Sequence, residues 1–182
     1  MSCLLTAGAN AQRRSIDTSK SQITIHVGRT GFLASFGDEH WVRAPIVEGS
    51  LNDGENPSIE FVVDAKKLEV LPDKKINAKK QAQIQANMGS EVLDPTTFPR
   101  ITFRSTDISK AGPNWWKVTG VLTLHGVTKS IIADVHRTGD TFSGTSKIKQ
   151  TDFGIKPIRI MGGMIKVRDQ LDVSFEIVTG SG

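Results

Sequence analysis

The feature that most limits what this chain can fold into is an alternation of apolar and polar residues with a period of two. In "SQITIHVG", Ile23, Ile25 and Val27 share one face while Thr24 and His26 take the other. The same alternation groups Ile59, Phe61 and Val63 in "SIEFVVDA", and Ile101 with Phe103 in "RITFRST". "WWKVTGVLTL" sets Trp116, Val118, Leu122 and Leu124 against Lys117, Thr119 and Thr123, and "SIIADV", "TFSGTSKIK" and "LDVSFEIV" repeat the pattern. Side chains of a strand alternate between the two faces of a sheet, so these runs predict half-buried antiparallel strands. The fold class is all-β, a single antiparallel barrel or sandwich of about eight strands.

One interval departs from period two. Between Lys74 and Met88 there is neither Gly nor Pro, and Ile76, Ala82, Ile84 and Met88 recur at helical spacing, with Gly89 as a stop and Asp94-Pro95 as a turn. A single helical excursion near residues 74–88 is expected. Between the strands at 118–124 and 130–135, His125-Gly126 predicts a tight corner. There the imidazole either braces the turn by a hydrogen bond or reaches a ligand's head group.

The chain of 182 residues suits one domain. Residues 15–179 are expected to form it, with 180–182 as a tail. "MSCLLTAGANAQ" ends in Ala9-Asn10-Ala11, which fits a signal-peptidase site before Gln12, although a basic n-region and a full apolar stretch are missing. Residues 1–14 are therefore read as the remnant of an export signal, or as a disordered terminus. Export predicts a periplasmic or secreted protein. Cys3 would leave with the signal, and the mature chain would have no disulfide, thiol nucleophile or cysteine-bound metal. No apolar run approaches the ~20 residues of a helical membrane span.

The formal charge is +4. Part of it is concentrated: Lys66, Lys67, Lys74, Lys75, Lys79 and Lys80 fall in one window beside Asp64, Glu69 and Asp73. This is either a solvated face or a basic rim that meets an anionic head group or a membrane surface. Nucleic acid fits poorly, since no binding motif and no interleaved aromatic residues accompany the lysines.

Catalytic and metal-binding patterns are nearly absent. His26, His40, His125 and His136 lack ligand spacing; His26 and His40 could meet across a hairpin centred near Leu33, a two-ligand site at best. Asp38, Glu39 and His40 form a loop-end group in which a carboxylate could orient an imidazole, but no G-x-S-x-G elbow marks a nucleophile. Asp152-Phe153-Gly154 imitates the kinase tripeptide without its companion motifs. No catalytic residue, metal or cofactor is expected. The aromatic and aliphatic residues Phe32, Phe36, Trp41, Phe61, Phe103, Trp116, Leu122, Phe153 and Phe175 are either core or the lining of an apolar ligand cavity. His26, His40, Lys79 and Lys80 are the head-group candidates.

Three stretches in register carry a resemblance: "FPRITFRSTDI", "WWKVTGVLTLHGVTKSIIADV" and "TDFGIKPIRIMGGMIKVRDQLDVSFEIV". With "SIDTSKSQITIHV" ahead of them, they resemble the YceI-like family of bacterial lipid-binding proteins over Ser15 to Val178. The resemblance implies a lipocalin-like barrel enclosing a long isoprenoid, such as a polyprenyl phosphate or an isoprenoid quinone. It implies a binding or carrier role without catalysis, usually in the periplasm; transient contact with a membrane surface rests on the lysine-rich window alone, and a homodimer stays open. A fully packed structural or stress-response barrel is one alternative, and an enzyme acting on a small amphiphile is another. The sequence departs from the commoner family pattern in the first hairpin, which looks more like a branch with a Gly-His-x-His stretch whose first histidine is replaced by Asp38, and at Met88-Gly89. Ligand length and head-group preference stay open on that account.

Overall fold

The structure, a computed structural model, describes residues 13–31 and 39–180. Its main body is one large antiparallel curled sheet of eleven strands. In chain order these are β1 (Arg13–Ser15), β2 (Gln22–Val27), β4 (His40–Ala44), β5 (Ile46–Asn52), β6 (Ser58–Asp64), β7 (Glu69–Val70), β8 (Arg100–Gly112), β9 (Trp115–Leu124), β10 (Val127–Thr138), β11 (Thr141–Lys149) and β14 (Gln170–Val178). A second sheet joins β3 (Arg29–Thr30), β12 (Arg159–Ile160) and β13 (Ile165–Val167). The large sheet runs in the order β1-β5-β6-β8-β9-β10-β11-β14-β2-β4-β7.

The curl follows from one junction. β4 pairs with β2 and β5 pairs with β6, strands far apart in the sheet order, yet only Pro45 separates β4 from β5. A proline has no N–H for the ladder, so one long strand is interrupted where it leaves one neighbour for another. A bulge between Ile46 and Glu48 adds local twist at the same corner. The strand number exceeds the expected eight because Pro45 divides one strand and because β1 and β7 are short additions. Ile16 bridges to Thr179, and the Gly180 N–H donates to the Ser15 carbonyl at 2.9 Å, tying the start of the domain to its last strand.

The expected alternation sets the inside and the outside. Val118, Leu122 and Leu124 of β9 are buried with Phe103 of β8 and Val135 of β10, while Lys117 and Lys129 are exposed. His125 and Gly126 form the β9–β10 turn, both left-handed at φ 51° and 74°. A side chain at Gly126 would meet the Phe98 ring 2.6 Å away, so this glycine is required by space as well as by backbone. The His125 imidazole lies against the same ring, with centroids 4.4 Å apart.

The helical excursion is shifted from the expected bounds. α1 spans Ala78–Asn87, begins where the Asn77 side chain accepts from the Lys80 N–H, and runs into a wider turn over Met88–Leu93. Residues 74–77 lie ahead of the cap, and Gly89 lies within the wide turn instead of stopping the helix. The inward stripe also differs: Ala82 is exposed, whereas Gln81, Ile84, Gln85 and Met88 turn toward the sheet.

The glutamines face inward because β7 is an edge strand with unpaired backbone groups. Gln85 Oε1 accepts from the Val70 N–H at 2.7 Å and its Nε2 donates to the Leu68 carbonyl at 2.9 Å, while Gln81 Nε2 donates to the Val70 carbonyl at 3.2 Å. Two side chains one helical turn apart thus take the place of a neighbouring strand. Gln85→Ala leaves two half-buried backbone groups unmet, at a cost of about 1–3 kcal/mol. Hydrogen exchange should quicken at the Val70 amide and across α1, with β9 and β10 unchanged; equal protection in the variant would show that the clamp contributes nothing.

Candidate functional site

The inward faces of β2, β4, β5, β6, β8, β9, β10, β11 and β14 enclose a cavity of about 390 Å³. Its size falls within the range of small-molecule sites. The wall is mainly aliphatic, built from alternate residues such as Ile23 and Ile25 on β2, Val173 and Ile177 on β14, and Ile131, Ala133 and Val135 on β10. Ile84, Met88 and Val92 contribute from α1 and the turn after it.

Two inward aromatic rings lie over glycines of the next strand. Phe103 of β8 covers Gly120 of β9, and Phe175 of β14 covers Gly144 of β11, where an added Cβ would meet the Phe175 ring at 2.6 Å. Large rings therefore lie flat along the wall instead of crossing the cavity. Phe61 continues this lining, stacked on Phe103 with centroids 5.3 Å apart.

The cavity has two different ends. At one end lie the short turns after β5, β8 and β10, and there Arg137 Nη1 pairs with Asp53 at 3.0 Å. Arg14 supports that pair, 3.7 Å from Asp53 and 2.6 Å from Asp140. The long connections gather at the other end, where His40, Ile158, Ile160 and Val167 line the cavity. Polar groups along the lining turn to the protein. Ser146 Oγ donates to the Ile132 carbonyl at 2.7 Å, Gln150 Nε2 donates to the Arg168 carbonyl at 2.8 Å, and Asn52 Nδ2 donates to the Asn56 carbonyl at 3.0 Å. Among the described residues, no buried side-chain nitrogen or oxygen lacks a hydrogen-bond partner.

Of the residues singled out in the sequence, Phe61, Phe103, Trp116, Leu122, Phe175 and His40 line the cavity. Phe32, Phe36 and Asp38 lie outside the described residues. Trp41 is 50% exposed because strand parity turns Val42 and Ala44 inward and Trp41 outward. Phe153 is 1% exposed, packed in the turn Gln150–Phe153 behind the wall and not against the cavity. His26 and His40 do not converge. His40 pairs with Val27 and His26 with Trp41, so the two imidazoles stand on opposite faces of the sheet. His26 lies against Trp41 with tilted rings whose centroids are 4.6 Å apart, and its Nε2 lies 3.1 Å from Glu39 Oε2. Lys79 and Lys80 are exposed in the first turn of α1, outside the lining. Among the described residues no group of three or more His, Cys, Asp or Glu is placed to hold a metal ion, and no helix is long and apolar enough to cross a membrane.

Sequence reasoning passed over Ala133, Val173, Ile148 and the polar end at Asp53 and Arg137. The first three carried the signal of period-two alternation. The ion pair carried none, since its partners lie on separate strand ends.

A curled antiparallel sheet around an apolar cavity defines the class: a β-rich protein with an inward aliphatic wall. The chain belongs to the YceI-like domain family, whose model matches residues 15–179. Curated relatives include a UPF0312 protein of Pseudomonas savastanoi pv. phaseolicola, 36% identical over 96 residues, which are 47% of this chain and 48% of that protein. A UPF0312 protein of Vibrio cholerae is 31% identical over 94 residues, 46% of this chain and 48% of that protein. The chain spans about half the length of the curated relatives it matches. Among solved structures, Burkholderia cenocepacia BcnA superposes with a TM-score of 0.60 at 22% identity, over 91% of this chain and 99% of that one. A polyisoprenoid binding domain from Saccharophagus degradans, implicated in plant cell wall breakdown, gives a TM-score of 0.61 at 14% identity, over 92% and 98%. At these identities the likeness concerns the fold.

Proposed function

We propose that this protein is a non-catalytic carrier or store for an amphiphilic isoprenoid lipid, a polyprenyl phosphate or an isoprenoid quinone, acting after export to the periplasm or the exterior. In this reading the curl is a closed, lipocalin-like barrel of eight staves, with β4 and β5 counted as one. The observation that carries the proposal is the combination of an aliphatic wall with polar groups already bonded to protein. Such a lining offers hydrocarbon contact and few free hydrogen bonds, so it favours a branched apolar tail over a polar ligand. The polyisoprenoid binding of the Saccharophagus domain supports the same ligand class. A tail gains about 25 cal/mol for each Å² of apolar surface removed from water, less the cost of ordering a flexible chain.

The test is organic extraction of protein purified without detergent from its native host, followed by mass spectrometry. A prenyl lipid or quinone in stoichiometric amount is the expected result. A clean extract, repeated after incubation with membrane lipids, would sink the carrier reading.

A further inference from the structure

We infer that the β12–β13 hairpin is a docking tip for an anionic lipid surface. The tip carries an apolar cluster that the fold leaves uncovered: Ile160, Met161 and Met164 are 50%, 55% and 46% exposed. Its backbone is committed to that presentation. Met161, Gly162 and Gly163 are successive residues of positive φ, at 52°, 66° and 93°, a conformation that residues other than glycine seldom adopt. Two glycines permit the turn, and the methionine within it projects into solvent.

Charge along the segment that forms the tip is of one sign. From Phe153 to Arg168 the chain carries Lys156, Arg159, Lys166 and Arg168 and no carboxylate, and all four cations are exposed. Apolar side chains flanked by the paired cations Arg159 and Lys166, with Lys156 and Arg168 further along the segment, match the interface of an anionic bilayer, where methionine and isoleucine enter the acyl boundary while the cations meet phosphates. A protein partner matching this surface would need an apolar socket inside an acidic rim; the lipid interface presents both features over any area. The tip is also continuous with the cavity, because Ile160 is half exposed to solvent while lining its wall. Docked here, the end of the cavity with the long connections faces the membrane. The purpose of the docking rests on the carrier reading, whereas the docking itself is read from the tip.

The experiment is flotation of the full chain with vesicles of phosphatidylcholine, with and without phosphatidylglycerol. The wild type should float with anionic vesicles, less so as salt rises. The triple variant Ile160→Ser/Met161→Ser/Met164→Ser should lose about tenfold or more in partitioning. Arg159→Gln and Lys166→Gln should each lose about fivefold on anionic vesicles only. A dye on Met164→Cys, in a Cys3→Ala background, should shift to the blue on anionic vesicles and reports insertion without disturbing the apolar cluster elsewhere. A wild type that stays in solution, variants that partition equally, or an unshifted dye would overturn the docking tip; binding only to another protein would do the same. A neutral prenyl probe titrated in vesicle-free buffer reads the carrier function separately. Tip-dependent flotation with no probe binding would uphold the docking and remove the carrier reading.

Discussion

Ala133→Phe is expected to weaken binding of a neutral prenyl probe by about two orders of magnitude while the protein stays folded. Ala133 faces inward near the middle of β10, paired with Val118 of β9 and Ser146 of β11. All three residues line the cavity. A phenyl ring there occupies space a hydrocarbon tail would fill. Displacing about 120 Å² of buried tail costs about 3 kcal/mol, which corresponds to about 150-fold in affinity. The fold has room for the ring, so the urea midpoint should stay near the wild-type value. A titration by intrinsic fluorescence checks the affinity, and unchanged binding in a folded variant would place the ligand elsewhere.

Gly120→Val should have the opposite signature, a large loss of stability that precedes any question of ligand. The glycine is buried beneath Phe103, and a Cβ there would fall inside contact distance of that ring and 2.7 Å from the Arg104 carbonyl oxygen. A ring can swing away, but the backbone of a paired strand yields only by distorting its ladder. We expect a cost of about 3 kcal/mol or more, read as a lower urea midpoint at unchanged slope. Gly139→Ala supplies the contrast. That position has a left-handed φ of 60° and nothing within 4 Å, so its cost is the backbone term alone, about 1–2 kcal/mol. Equal losses at both sites would mean that the ring over Gly120 is not constrained.

Much of this architecture was legible in the residues. Strand faces followed from alternation wherever a run was uninterrupted, as in β2, β9 and β14, and the corner at His125-Gly126 followed from its glycine. Three matters were not fully legible, each for a physical reason. "HWVRAPIVEGSL" conceals a strand because Pro45 breaks it at the point where its pairing partner changes, and pairing is a property of distant chain segments. The inward face of α1 was legible only in part: Ile84 and Met88 turn inward as their spacing implies, but Gln81 and Gln85, polar in composition, join them to serve β7. Aromatic placement misled as well: Trp41 and Phe153 draw attention by size, but parity puts one outside and the 3-10 turn puts the other behind the wall. Parity on β4 was available in principle, since Val42 and Ala44 flank Arg43.

The pairing of β2 with β14 has a consequence for how the protein is made. Ser174 Oγ donates to the Thr24 carbonyl across a separation of 150 residues, so this seam joins nearly the two extremes of the domain. Contacts of that range form slowly, because the entropy of closing so long a loop is lost before any packing compensates for it. During synthesis β2 must wait, its inward isoleucines uncovered, until the last strand emerges. The cavity therefore comes into being all at once and late. A chain interrupted before β14 would hold no partial site; it would expose an unpaired strand edge and an open apolar trough, the combination that invites aggregation.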